Sequence, residues 1–478
     1  MYASPKQTLH EPLLTVEEQR ASAGRTRIVI PREEPSPITA RAQKGASVSS
    51  SVFSVLNVYV GLGLLSKPYA FEQGGWISLP ALAILCVVAN VTGKLIVRSF
   101  AKLPKEDQSY VRLGEKAFGA AGAWAVRIVI ALELFGAEIV LLIFVWKNAL
   151  LLAPWYMPDA AISESSVALI MTLVATPTVW ALDFGSLGPI SLIGVVASVL
   201  IVFVTVGVAV TYFTKATLSG AELPPFELQP VGSGLPMAVG IFILSLGGHA
   251  ALPGVYSAMA TPERFDRMLD ISMMCMFAIY ASVGMAGYVA YGWLEQEEVD
   301  VLITANMAHD GRGLVPLQLP GHYWRHTAGV GRTMSLESTI MTLAVVAKSF
   351  TAISPVLAVL ADLPEQLLLG DGYGLSPAAL EVRKQRQIAL RTLLLWVAAA
   401  LAYLCSVYGG LALVEAVTGA LCSMLASLGL PCAFWAALHR HEAPAAHVAA
   451  AAALAIVAAC AGAAMSALDI VKFLEHSK

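Results

Sequence analysis

Apolar residues in this chain come in runs of roughly 20, the length that crosses a hydrocarbon core of about 30 Å. The runs fall near 50–72, 76–98, 121–150, 164–182, 187–213, 235–258, 270–293, 334–360, 389–408, 410–438 and 446–471. They predict an all-α polytopic membrane protein of about eleven transmembrane helices. Two of these runs are interrupted. The first carries Asn57, Gly61, Gly63, Lys67 and Pro68 inside an otherwise apolar stretch, and the sixth carries Gly247, Gly248, His249 and Pro253. Glycine and proline weaken a helix, and backbone groups freed in this way cannot be left facing lipid. Such a segment must line a cavity or pack inside protein. Close helix packing explains a single glycine pair. Two pairs five spans apart, each followed by a proline, instead match the discontinuous helices of inverted-repeat secondary transporters, whose substrate lies at the repeat interface.

Charge sets the expected orientation. Lys and Arg collect in the N-terminal segment (Lys6, Arg20, Arg25, Arg27, Arg32, Arg41, Lys44), after span two (Lys102, Lys105, Arg112, Lys116) and in later alternate connections (Arg264, Arg267, Arg383, Lys384, Arg386, Arg440). By the positive-inside rule the N-terminus is cytosolic and, with an odd number of spans, the C-terminus is not. The expected division is a disordered cytosolic tail over 1–48, a transporter domain over 49–471 and a short extracytosolic end over 472–478. Asn90-Val91-Thr92 falls inside span two and should stay unglycosylated.

Composition agrees with this picture. Hydrophobic residues make up 57% of the chain and charged residues 13%, against about 25% in a soluble average. Mean hydropathy is +0.71. A net charge of −3 gives no basic surface for nucleic acid. The six cysteines lie in apolar runs without CxxC spacing and read as buried thiols, neither a disulfide framework nor a metal site. His309, His322 and His326, in the long connection after span seven, read as solvated. No phosphate-binding loop or H-E-x-x-H helix is present, so neither a P-loop pump nor an enzyme of the zinc-protease type is indicated, and no cofactor or metal is expected.

Ionisable residues inside spans are expensive and usually functional. Glu138 and Lys348 sit deep in their runs. Glu133 and Glu415 lie nearer the ends, where snorkelling explains them as well as function does. His249, beside the second break, is either a titrating group or a hydrogen-bonded structural histidine.

The stretches GLGLLSKPYAFEQGGW, TGKLIVR, SYVRLGEKAFG, SLGGHAALPGVYSAMATPERF, AKSFTAISPVLAVLADLP and VTGALCSMLASLGLPCAFW, in this order, resemble the amino acid/auxin permease family, and within it the vacuolar amino acid transporters. The resemblance covers about residues 48–471. It implies a LeuT-like five-plus-five inverted repeat with one added span, discontinuous helices one and six, and amino acid transport coupled to protons. It also implies that the substrate carboxylate meets the amides of Gly61, Leu62 and Gly63, and that the amine faces the backbone of Ser245, Leu246, Gly247 and Gly248. Asn57, Glu138, His249, Lys348 and Thr351 become candidates for coupling or gating. Lys67 departs from the family pattern; it snorkels, pairs with Glu72 one turn on, or takes a direct part in transport.

The implied partners are an amino acid, protons and the bilayer. A vacuolar or lysosome-like membrane is favoured over the plasma membrane, and Glu11-Pro12-Leu13-Leu14 resembles a weak dileucine sorting signal for such a compartment. Two other readings stay open: an amino-acid sensor using the same pocket without substantial flux, and a carrier of another small amphoteric solute such as auxin.

Overall fold

The computed structural model describes residues 46–61, 63–104, 107–156, 162–180, 188–219, 229–291, 302–304, 307, 336–369 and 376–476. Leu62, the side chain of Asn57, the Glu11–Leu14 motif and His309, His322 and His326 lie outside them. Among the described residues nine helices are long and apolar enough to cross a membrane, and Glu164–Trp180 is a shorter apolar one. The first span is broken into two halves, α1 (Val48–Tyr59) and α2 (Lys67–Gly74), each too short to cross alone. These segments together account for the eleven expected spans. No strand is present among the described residues, only an isolated bridge between Ala46 and Met259.

The remaining helices follow the apolar runs. They are α3 (Ser78–Ser99), α4 (Tyr110–Tyr156), α5 (Glu164–Ala175), α6 (Gly188–Ser219), α7 (Leu235–Ser245), α8 (Leu252–Ala258), α9 (Phe265–Tyr291), α10 (Leu336–Leu369) and α11 (Pro377–Val407). Span ten begins as α12 (Leu411–Val417), passes through two π-helical stretches, Thr418–Ser423 and Leu425–Gly429, and ends as α13 (Leu430–His439). The last span is α14 (Ala445–His476).

Helix ends overshoot the apolar runs because hydropathy marks contact with lipid, whereas backbone hydrogen bonding continues into the polar interface. Thus α14 runs to His476, past the boundary expected at 471. Similarly, α4 begins at Tyr110, 11 residues before the apolar run at 121. A turn at Phe118 and Gly119 redirects it there, and Gly119 has φ 64°, a left-handed conformation that glycine adopts without steric cost. The cysteines correct one expectation: Cys86 and Cys432 are buried, but Cys460 is exposed. It lies on α14, the least enclosed of the nine long spans, where an apolar thiol can face lipid.

Three of the four halves of the two broken spans carry proline in their first turn, at Pro68 of α2, Pro236 of α7 and Pro253 of α8. There the missing N–H costs nothing and the fixed φ suits a helix start. The broken spans are stitched to one another at both ends. At one end Ala46 donates its N–H to the Ala258 carbonyl at 2.7 Å and accepts from the Ala260 N–H at 2.9 Å. At the other, Trp76 and Ile77 donate to the carbonyls of Gln229 and Pro230, while Gly232 and Gly234 donate to those of Gly74 and Gln73. Phe71 of α2 packs edge-on against Phe242 of α7, with ring centroids 5.6 Å apart. Spans one and six therefore form one antiparallel unit. Span eight packs through α10 against both span three (α4) and span five (α6).

Candidate functional site at the crossing of two broken spans

The two breaks meet at Gly63 and Ser245. A Cβ on Gly63 would fall on the Ser245 side chain and 3.0 Å from Lys67 Nζ, so only glycine lets the backbones cross this closely. Tyr280 of α9 ties the crossing together. Its buried hydroxyl donates to the Tyr59 carbonyl at 2.7 Å and to the Ser245 carbonyl at 3.1 Å, a shared bond to the last turns of α1 and α7. Carbonyls at helix C-termini have no partner within the helix, and this hydroxyl satisfies one from each break.

Lys67 lies at this crossing and is 0% exposed. It neither snorkels nor pairs with Glu72. Its ammonium donates to Ser245 Oγ and to the Ile241 carbonyl at 3.4 Å. It also stands 5.3 Å from the Phe242 ring centre and 4.8 Å from that of Tyr280, within the range of cation–π attraction. The preceding Ser66 donates to Glu415 Oε1 at 2.8 Å, joining α2 to span ten. Glu415 is completely buried beside the start of the π-helical stretch, so the snorkelling explanation fails for it too. Irregular turns of this kind occur frequently at functional sites.

The other face of the crossing carries charges without partners. At the span-six break, Gly247 and Gly248 are half-buried. A Cβ on Gly248 would lie 2.5 Å from the Tyr59 ring. One on Gly247 would run into Glu133 Oε1, with Ser423 Oγ at 2.9 Å. Glu133 thus points at the second break and is only 7% exposed. Its Oε1, like both carboxylate oxygens of Glu138, lacks a hydrogen-bond donor among the described residues. At the span-one break, Lys348 of α10 places its Cε 3.4 Å and Nζ 3.8 Å from where a Cβ on Gly61 would stand. The same ammonium is 3.8 Å from the equivalent point on Gly194 of α6, which Thr351 Oγ1 also approaches. The Lys348 carbonyl accepts from Thr351 Oγ1 at 2.9 Å, but its ammonium has no hydrogen-bond or ion-pair partner among the described residues.

His249 has a settled environment. Its Nε2 donates to the Ala89 carbonyl at 3.0 Å and stands 3.0 Å from Thr92 Oγ1, while the Tyr59 hydroxyl approaches Nδ1 at 3.5 Å. This fixes the Nε2-protonated tautomer and links the two breaks to α3.

Of the candidates read from the sequence, the structure brings Gly61, Gly63, Ser245, Leu246, Gly247 and Gly248 to one crossing, with His249, Lys348 and Thr351 around it. Ser245 and Leu246 are buried, and Ser245 is occupied by Lys67 and Tyr280. Glu138 lies deeper in α4 and takes no hydrogen bond there. Glu133, Glu415, Ser423 and Tyr280 belong to the same neighbourhood but were not among the site candidates. For the two glutamates the signal was intramembrane charge itself; for Ser423 and Tyr280 the sequence holds no comparable mark.

The family model for transmembrane amino acid transporter proteins matches residues 44–310, more than half of the chain and all of the segments that form the crossing except α10 and span ten. The chain belongs to this family. Among relatives in Arabidopsis thaliana, amino acid transporter AVT1D is 32% identical over 274 residues, covering 55% of this chain and 46% of its own length. AVT1B is 30% identical over 312 residues, covering 63% and 55%. The chain thus spans about half the length of these relatives. Two solved structures resemble it along most of its length. MhsT in complex with L-phenylalanine gives a TM-score of 0.52 at 12% identity, covering 91% of this chain and 99% of that one. A Na+-coupled sialic acid symporter in a substrate-bound outward-open state also gives 0.52, at 13% identity and 91% and 93% coverage. At such identities the likeness concerns the fold: a LeuT-like five-plus-five inverted repeat with one further span.

Proposed function

We propose that this protein is a secondary active transporter that moves amino acids across a membrane by alternating access, driven by a proton gradient. The observation that carries the reading is the crossing itself. Two interrupted spans of one antiparallel unit meet at Gly63 and Ser245, with half-buried Gly61, Gly247 and Gly248 standing between their helical halves; the Gly247 N–H closes the last turn of α7 on the Leu244 carbonyl and the Gly248 carbonyl accepts from the Ala251 N–H. The amides of the span-one break suit a carboxylate, because a half-helix presents the positive end of its dipole there. The backbone of the span-six break suits an amine.

Lys348, Thr351, Glu138 and His249, with Asn57, are the proposed coupling and gating residues, since intramembrane charge is retained mainly for function. Alternating access rocks spans one, two, six and seven against three, four, eight and nine. The N-terminus faces the cytosol, and the membrane is vacuolar or lysosome-like.

Purified protein in liposomes tests this. Labelled amino acids should accumulate when a proton gradient is imposed and fail to accumulate without one. Binding without flux under either gradient direction would overturn transport and favour a sensor that uses the same pocket.

A further inference from the structure

The crossing has electrical polarity. At the span-one break stands the ammonium of Lys348; at the span-six break stands the carboxylate of Glu133. Neither charge is neutralised by an ion pair among the described residues. Glu133 Oε1 is shut off from solvent, has no donor, and abuts Gly247, whose backbone remains half-buried. A buried carboxylate oxygen without a donor costs several kcal/mol unless something supplies one. Ser423 Oγ, from the π-helical stretch of span ten, faces the same point close to the Glu133 carboxylate, although neither atom closes a hydrogen bond of good geometry among the described residues. Lys67 does not fill this role, because its ammonium is committed to Ser245 and Ile241 on the other side of the crossing.

We propose that Glu133 is the acceptor for the substrate's α-ammonium group, with Ser423 beside it. This rests on the functional reading above and narrows it. The substrate class is the free zwitterionic α-amino acid, its carboxylate toward Gly61 and Lys348 and its ammonium toward Gly247 and Glu133. Backbone carbonyls alone accept hydrogen bonds from a neutral or charged donor, so a hydroxyl in place of the amine would satisfy them in part. A carboxylate instead rewards a positively charged donor, since charge-assisted bonds are roughly twice as strong as neutral ones. An acid with no ammonium, or an amino acid whose nitrogen is acylated, therefore leaves Glu133 buried and unpaired.

The test uses the full chain in detergent and reads dissociation constants from ligand-induced shifts in melting temperature. Each of the twenty common L-amino acids that stabilises the protein is compared with its matching 2-hydroxy acid and its N-acetyl derivative. The unmodified protein should prefer the amino acid by about 100-fold, and Glu133→Gln should shrink that preference by about tenfold or more. Affinity for the hydroxy acid should change less than about threefold. Glu133→Asp, which keeps the charge, should retain most of the preference as a control; if Glu133→Gln fails to fold, Glu133→Met removes the charge in its place and should shrink the preference likewise. An equal loss of affinity for amino and hydroxy acids, or an unchanged preference, would overturn the assignment. Should no amino acid bind the unmodified protein, the transporter reading itself fails, an outcome separate from a misassigned Glu133.

Discussion

Among the described residues two lysines are buried, Lys67 and Lys348, and their surroundings are opposite. Lys67 is saturated: Ser245 and the Ile241 carbonyl accept its protons, two aromatic rings flank it, and Ser66 next to it holds Glu415. Lys348 reaches to where a Cβ on Gly61 or Gly194 would stand, and its ammonium has no acceptor among the described residues. A buried charge that is fully hydrogen-bonded holds elements together. One left without a partner is available to a ligand or a moving proton. On the proposed function, the crossing is accordingly divided into a side that builds it and a side that would meet the substrate.

Removing each ammonium should separate the two. Lys67→Met leaves Ser245 without its donor and Glu415 in the core with only Ser66, and breaking a buried charge cluster in this way should cost on the order of 3 kcal/mol. In a thermal melt it should unfold well below the unmodified protein. Lys348→Met should melt close to the unmodified protein and lose gradient-driven uptake. If the two variants behaved alike in both assays, the division would be wrong.

The glycines offer a smaller version of the same contrast. Gly63 has no room for a Cβ, and Gly63→Ala should cost about 1 to 3 kcal/mol by overpacking. At Gly61 the nearest atom stands at ordinary contact distance, so Gly61→Ala should shift stability by less than about 0.5 kcal/mol. Tyr280→Phe deletes the hydroxyl shared by α1 and α7 and should cost about 1 kcal/mol, with uptake falling more than binding if that bond helps the halves move together.

The smallest expected effect lies outside the membrane. Lys102 donates to Glu442 at 2.5 Å and holds its carboxyl below the usual range, chiefly through that hydrogen bond. A depressed folded-state pKa contributes stability above the unfolded glutamate's pKa and loses it as pH falls through the folded value. Glu442→Gln should therefore make the acid limb of a melting-temperature profile slightly shallower. Because the pair is exposed, high salt should erase the difference.

The spans and their breaks were legible because lipid imposes a length and glycine and proline mark where that length is interrupted. Gly61, Gly63, Gly247 and Gly248 could be placed at one site from the pattern alone. Partners across the crossing could not. Nothing in the residues around Lys67 announces that Ser245, some 180 positions away, takes its proton, because that contact depends on how two breaks cross. For Glu133 and Glu415 the sequence left snorkelling open for a related reason, and their burial closes it: distance from the end of an apolar run measures depth along the helix, whereas burial depends on which face the helix turns inward. The extent of α4 and α14 was hidden because hydropathy falls where the interface begins, although the helix continues.

The central claim is that an amino acid sits at the crossing of spans one and six. Gly61→Leu tests it most directly, since a Cβ there stands in the break and, among the described residues, meets the flexible end of Lys348. The measurement is binding of labelled amino acid to purified unmodified and Gly61→Leu protein whose melting temperatures agree. The account predicts that binding is lost in the variant; equal binding by the two folded proteins would contradict it.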